Sequence, residues 1–511
     1  MDASDGAPAG PDFAAGLLQS AVAEGAVVAG RVGATPVLLS RFGGELNAVS
    51  AVCTHYGGPL AEGLVLGERV HCPWHHACFD LRTGEALAAP AFDRLDRWRV
   101  ETEGATIFVR RKLDVSTPPR KPVSGDRTPQ RIVIVGGGAA GFAAAEMLRR
   151  RGYAGTLTLL SADDAPPCDR PNLSKDYLAG SAPEAWIPLK DEAFYRDHEI
   201  DLRLSTTVAR IDPTAREAAA ASGERFGFDM LLLATGAEPV RLDAPGLDRP
   251  NVHTLRAFAD ARAIIAAAGP ARRATVIGAS FIGLEAAASL RARGLEVHVV
   301  APEPVSMARV LGLELGRRIR ALHESNGVVF HLEQTPTAYD GTRLRLSGGG
   351  EIETDLIVLG VGVRPRIELA QAAGLAIDRG VKVDAFFETS APGIFAAGDI
   401  ARYPDPRSGE LIRVEHWVAA ERQGQLVAAN MLGARLPMTS APFFWSAHYD
   451  LSVRYVGHAP DANDTEIEGA IADGDATVRF KHAGQLCAAA TIGRDRQNLE
   501  IEAALEEQRS G

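Results

Sequence analysis

Cysteine is scarce: the 511 residues hold five, of which Cys78, Cys168 and Cys487 lie scattered. That excludes the disulfide framework of a small secreted domain and suits a reducing cytoplasm. Long apolar runs are lacking as well, and no stretch of about 18 such residues reads as a membrane span. The first residues, Met1-Asp2-Ala3-Ser4-Asp5-Gly6, carry neither a basic region nor an apolar core, so no secretory signal is visible. Positive charge is not in excess. With 54 Lys and Arg against 65 Asp and Glu, the net charge of −11 argues against a nucleic-acid partner, whose phosphates favour basic surfaces. The expectation is a cytoplasmic protein, monomer or homodimer, that binds neither nucleic acid nor membrane. What remains is an ordinary globular mixture, 46% hydrophobic and 23% charged, long enough for several domains.

Two of the cysteines fall in a pattern. Cys53-Thr54-His55 is followed by Cys72-Pro73-Trp74-His75. A Rieske 2Fe–2S centre needs two thiolates on one iron and two imidazoles on the other. Gly57-Gly58-Pro59-Leu60 follows the first pair, and a glycine-rich turn lets backbone N–H groups approach cluster sulfurs. Two Cys and two His also suit tetrahedral zinc, but the glycine and C-P-W-H context belongs to Rieske loops. Residues 12–112 thus resemble the Rieske ferredoxin family, with Cys53, His55, Cys72 and His75 as the expected ligands. His76 and Cys78 fall just outside that set. Gly58 and Trp74 stand where high-potential members carry disulfide cysteines, so the resemblance implies a low potential, toward about −150 mV.

Residues 113–130 read as a linker, because Ser116-Thr117-Pro118-Pro119-Arg120-Lys121-Pro122 cannot form a helix. Beyond it the texture changes to strand–glycine–helix units. The apolar run Arg131-Ile132-Val133-Ile134-Val135 enters Gly136-Gly137-Gly138-Ala139-Ala140-Gly141 and then a helical pattern. Gly136, Gly138 and Gly141 complete G-x-G-x-x-G: one glycine for the turn, one for backbone approach to a pyrophosphate, one for helix packing. The helix N-terminus then faces the phosphates with its positive end. Asp163, after the next strand, falls where an acidic ribose partner is expected. A second unit starts at Ala274-Thr275-Val276-Ile277-Gly278, so two dinucleotide-binding domains are expected.

Three further motifs follow in order: Cys168-Asp169-Arg170-Pro171-Asn172-Leu173-Ser174-Lys175, the strand and turn Leu233-Ala234-Thr235-Gly236, and Ala396-Ala397-Gly398-Asp399. Residues 131–511 with these motifs resemble the glutathione-reductase-fold ferredoxin reductases, kin of putidaredoxin reductase and apoptosis-inducing factor. The resemblance implies FAD, with Asp399 at its ribityl and pyrophosphate region and Arg170 and Lys175 along the isoalloxazine. A cation there stabilises the anionic reduced ring. Glu415, His416, Trp417 and Trp445 match positions beside the flavin, where aromatic faces shield the ring. Cys168 departs from the family, which commonly has Tyr, and reads as a packing substitution.

In the second unit Gly278 and Gly283 bracket F-I-G-L-E, and Ser280 replaces the middle glycine, where it would crowd a pyrophosphate slightly. By the resemblance Glu285 sits at the nicotinamide carboxamide, paired with Lys175; these two are the expected catalytic residues. Ala301 falls where an NAD-selective Glu commonly sits, with Glu303 two residues on and no Arg pair following at once, which favours NADH over NADPH.

The expected architecture is multidomain. An all-β Rieske domain (1–112) and the linker precede two Rossmann-like α/β domains of the glutathione-reductase fold, FAD-binding (131–247 and 372–440) and NAD(P)H-binding (248–371). A small α+β C-terminal domain (441–511) completes it. The implied activity carries electrons from NADH through FAD to the chain's own cluster and on to an external acceptor such as an oxygenase or cytochrome. The rival is an NADH-responsive redox-sensing or signalling flavoprotein with the Rieske domain as sensor.

Overall fold

A computed structural model of the chain describes residues 10–114 and 128–508. Most of the linker expected at 113–130 lies outside the described residues, as do Met1 to Ala9. The chain divides into two compact units. One takes in Met1–Pro122 with Asp495–Ala504, the other Val123–Arg494 with Leu505–Gly511.

The first unit is built on two antiparallel sheets. The larger runs Leu17–Leu18, Thr106–Lys112, Arg97–Glu103, Glu45–Ser50, Thr35–Phe42, Val27–Val32. The smaller runs Leu64–Leu66, Arg69–His71, Cys78–Asp80, Ala86–Ala88. Leu38, Val49, Leu60, Val70, Phe79 and Leu81 form a core that also takes in Cys53 and Cys72. Both cysteine–histidine segments are therefore loops held from behind by packed strands, and Cys72 to Ala77 joins two adjacent strands of the smaller sheet. The reading of 441–511 as one domain meets a departure here, because residues Asp495–Ala504 of the last helix, Asp495–Glu507, group with these strands. Asn498, Leu499 and Glu502 are buried on it, and Glu502 reaches His76 in the second loop. Helical periodicity shows that a helix has a buried face, not which partner buries it.

The second unit contains a duplication. Five parallel strands run Ile200–Arg203, Thr156–Leu160, Arg131–Val135, Met230–Leu233, Ile394–Ala396, with the helix Ala139–Arg150 crossing between the first two of the chain. The second sheet runs Val252–Thr254, Leu356–Leu359, Arg273–Ile277, Glu296–Ala301, Val328–Leu332, with Phe281–Ala292 as the crossover helix after its glycine turn. Each sheet is interrupted by a three-stranded antiparallel insert before its return strand. The strands read as continuous apolar runs because both faces are covered. Ile394–Ala396 pairs with Met230–Leu233 and so returns the chain to the first sheet after the second is complete. A five-stranded antiparallel sheet follows, Phe443–His448, Leu451–Gly457, Gln485–Ile492, Asp475–His482, Asp464–Ala470. No described helix is long and apolar enough to cross a membrane.

Candidate functional site

In the first unit the four expected ligands form two pairs. His55 Nδ1 and His75 Nδ1 face each other at 3.2 Å. Two nitrogens at about 2.0–2.1 Å from one tetrahedral metal lie roughly 3.3 Å apart, so both rings fit a single ion. Cys53 and Cys72 are buried side by side; the hydrogen bond between their sulfurs, followed by burial, raises the Cys53 thiol far above its ordinary value. Desolvation lowers His55 to about 3, so the imidazole is held in the neutral, metal-binding form. Among the described residues no three His, Cys, Asp or Glu side chains converge on one point. Paired thiols and paired imidazoles suit the two irons of a Rieske cluster. A Cβ on Gly58 would stand 2.7 Å from Cys72 Sγ, so that glycine keeps the space beside the thiol open. Tyr56 stacks on His55 with centroids 4.0 Å apart.

In the second unit a cavity of about 1540 Å³ joins the two glycine turns. Gly136 and Gly138 line it, followed by Asp163, Arg170 and Lys175 from the next connection. Ala234, Thr235 and Gly236 line it at the exit of Met230–Leu233, as do Gly398 and Asp399 at the exit of Ile394–Ala396. Glu415, His416, Trp417 and Trp445 close one side. Gly141, Gly278 and Gly283 are not on the wall. A Cβ on Gly141 would meet Gly136 O at 1.9 Å, and one on Gly283 would meet Gly278 O at 2.2 Å. These glycines let helix and strand pack, and they do it in the same way at both sheets of this unit.

The cavity calls for an anion at its first turn. Arg170 lies beside Gly138 at the N-terminus of Ala139–Arg150. Burial first, then the neighbouring guanidinium of Arg256, makes its positive charge costly and lowers its pKa. Arg256 Nη2 donates to Asp399 Oδ2 at 2.5 Å. Arg170 is 3.9 Å from Asp163. Two close guanidiniums, a helix N-terminus and open backbone fit a pyrophosphate. No sequence motif marks Arg256, which precedes the helix Phe258–Ala268.

Between the two turns Lys175 Nζ donates to Glu285 Oε2 at 2.8 Å, both largely buried. Ser174 Oγ donates to the same oxygen at 2.6 Å, and Ser446 Oγ to Oε1 at 2.6 Å. Behind Ser446, His448 Nε2 lies 3.1 Å from its Oγ, and His448 Nδ1 lies 3.2 Å from His323 Nε2. Burial holds both imidazoles neutral, at about 3. Lys175 Nζ is 5.7 Å from the ring centre of Trp445. Ser280 lines the cavity at the second turn. Its Oγ donates to Gly360 O at 2.7 Å and accepts from Gly283 N–H at 3.3 Å, capping the helix Phe281–Ala292. Burial lowers His416 to about 4, so it is neutral near pH 7. Cys168 is half-buried against the apolar core, with burial raising its thiol, and is not in a disulfide. At the end of the next strand Ala301 is buried; beyond it Glu303 is exposed, while Arg309 lines the cavity.

A paired glycine turn, a shared cavity and a buried lysine–glutamate pair define a two-dinucleotide flavoprotein, here preceded by an iron–sulfur module. Residues 130–424 match the family described as pyridine nucleotide-disulphide oxidoreductase, and residues 15–99 match the Rieske [2Fe-2S] domain. The chain belongs to the pyridine nucleotide-disulphide oxidoreductases and carries a Rieske domain ahead of that fold. Apoptosis-inducing factor 3 of Homo sapiens is 31% identical over 476 residues, covering 90% of this chain and 78% of the relative. The ferredoxin–NAD(+) reductase component of the anthranilate 1,2-dioxygenase system of Burkholderia cepacia is 37% identical, covering 71% of this chain and 91% of its own. Among solved structures, the covalent putidaredoxin reductase–putidaredoxin complex superposes with a TM-score of 0.72 at 28% identity, covering 74% of this chain and 93% of that one. The protein is an NAD(P)H-dependent flavin oxidoreductase of the ferredoxin-reductase type, and its domains imply an iron–sulfur cluster, FAD and NAD(P)H.

Proposed function

We propose that the chain passes electrons from NADH through FAD to its own Rieske cluster, held by Cys53, His55, Cys72 and His75, and on to an external acceptor such as an oxygenase or cytochrome. The observation that carries this reading is the single cavity that opens on both glycine turns, with the Lys175–Glu285 pair between them. FAD supplies the conversion from a two-electron hydride donor to one-electron carriers, and the cluster supplies the one-electron store. The chain's residues do the placing. Gly136 and Gly138 admit a pyrophosphate against the helix N-terminus, Arg170 and Arg256 neutralise it, and Asp399 takes the ribityl side. Trp417 and Trp445 shield the ring. Glu285, fixed by Ser174, Lys175 and Ser446, is aimed to accept from a carboxamide, and Lys175 places positive charge where the ring gains negative charge. The domain limits 131–247 with 372–440, and 248–371, follow from the same assignment.

NADH is the proposed donor because Ala301 and Glu303 offer nothing to a 2′-phosphate. Arg309 in the cavity wall is the observation that favours NADPH instead. Several relatives are named as ferredoxin or rubredoxin reductases; here the Rieske module takes the place of the separate carrier. The compartment proposed is the cytoplasm. Anaerobic titration of the purified holoprotein with NADH, followed optically and by EPR, tests the reading. Flavin bleaching followed by the signal of a reduced Rieske cluster is expected. Flavin reduction with the cluster left oxidised throughout would defeat it and favour the sensing role.

A further inference from the structure

The two ligand loops are the same turn built twice. In the first, Gly57 N–H donates to Cys53 O at 3.0 Å and Cys53 N–H to Gly58 O at 2.9 Å. In the second, His76 N–H donates to Cys72 O at 3.1 Å and Cys72 N–H to Ala77 O at 2.8 Å. The turn requires a left-handed residue four places after each cysteine. Gly57 supplies it in the first loop at φ 77°, where a glycine is at ease; in the second His76 does so at φ 62°. A histidine in that conformation is strained, and a strained backbone persists where surrounding contacts over-determine it.

His76 is fully buried, and its Nδ1 meets Glu502 Oε2 at 2.6 Å. Glu502 is itself buried, on the helix Asp495–Glu507, whose residues Asp495–Ala504 belong to the same compact unit as the loop. A side chain on a helix interior is a rigid anchor, and His76 is covalently next to His75, whose Nδ1 faces His55.

We propose that Glu502 is a positioning residue for the cluster: it holds His76 in the left-handed turn and thereby fixes the direction in which the loop presents His75. The Rieske centre of this chain is thus completed by the last helix. The inference rests on the reading of Cys53, His55, Cys72 and His75 as ligands. Glycine at position 76 would adopt the turn without an anchor, so the need for Glu502 exists only while histidine is there.

The test uses full-length holoprotein and three variants, with bound FAD as the control for folding. Iron release to a chelator and the g-values of the dithionite-reduced cluster are measured in each. In Glu502→Ala, iron release about ten-fold faster and altered g-values are expected, the scale on which partners of metal ligands act. In Glu502→Ala with His76→Gly, release returns to within about two-fold of the parent, because the strained residue is gone. Cys72→Ala reports on the ligand reading, and it should hold no cluster. Parent-like release and g-values in Glu502→Ala, or a double variant no better than the single, would overturn the positioning role while leaving the ligands intact. A cluster retained in Cys72→Ala would overturn both.

Discussion

Ser446 Oγ donates to Glu285 Oε1 at 2.6 Å, on the opposite oxygen from the one that Lys175 holds. The carboxylate is therefore gripped on both sides, and its orientation is set by a strand 161 residues away in sequence.

Replacing Ser446 by Ala releases one oxygen of Glu285. A hydrogen bond to a charged group is worth about 1.5–3 kcal/mol, so the rate of flavin reduction by NADH should fall about ten- to hundred-fold. Stopped-flow absorbance under anaerobic conditions measures it. An unchanged rate would mean that Glu285 does not need this orientation for nicotinamide binding.

Asp399→Ala should yield protein with little FAD and an ordinary cluster spectrum. The variant also strips Arg256 of its partner at the first glycine turn, so loss of flavin rather than altered flavin is expected. The ratio of flavin to iron in the purified protein decides it. A parental ratio would show that the carboxylate lies outside the flavin site.

Stability should decline on acidification from pH 6.5. His323 and His448 are held neutral down to about 3 by burial, whereas in the unfolded chain they take up protons near 6.5. The unfolded state then binds more protons than the folded one, so stability rises with pH between about 3 and 6.5 and is lost as pH falls through that window. Each histidine contributes a slope of up to about 1.4 kcal/mol per pH unit. Urea midpoints between pH 5 and 7 should flatten in His448→Gln; an identical slope in the variant would rule the histidine out as a source.

The cofactor preference should favour NADH, and Arg309→Ala should widen it by weakening NADPH selectively. One lost charge–phosphate contact of about 1.4 kcal/mol corresponds to roughly ten-fold in kcat/KM. Equal losses for both nucleotides would place Arg309 away from the adenosine ribose.

The local requirements of this protein were written in short stretches of chain. Gly136, Gly141, Gly278 and Gly283 were legible because a tight turn and a close helix–strand approach exclude a Cβ wherever they occur. The C-x-H and C-x2-H pairs were legible because a two-iron centre demands those side chains at loop spacing. Arg256, Ser446 and Glu502 were not. Each acts across a long separation, 143 residues to Asp399, 161 to Glu285 and 426 to His76. Ordinary residue types at unmarked positions gain their roles only when the sheets stack. A signal for Glu502 did exist in part: a carboxylate stands among Leu499, Ile501 and Leu505 on an amphipathic helix, where an ion partner is needed. His76 in the slot that glycine fills in the first loop was the matching half. The helix Asp495–Glu507 shows why: its residues Asp495–Ala504 group with strands far away in sequence, and periodicity does not name the partner that buries a face.

Residues Asp495–Ala504 follow both dinucleotide folds in the chain, yet they belong to the unit whose strands and ligand loops precede those folds. A nascent chain that has reached residue 494 holds both cysteine–histidine loops and both dinucleotide folds, but not the helix that carries Glu502. A ligand loop and the carboxylate that contacts it are thus made far apart in time, with the two dinucleotide folds between them. The second loop meets Glu502 only once the chain has passed through both of them.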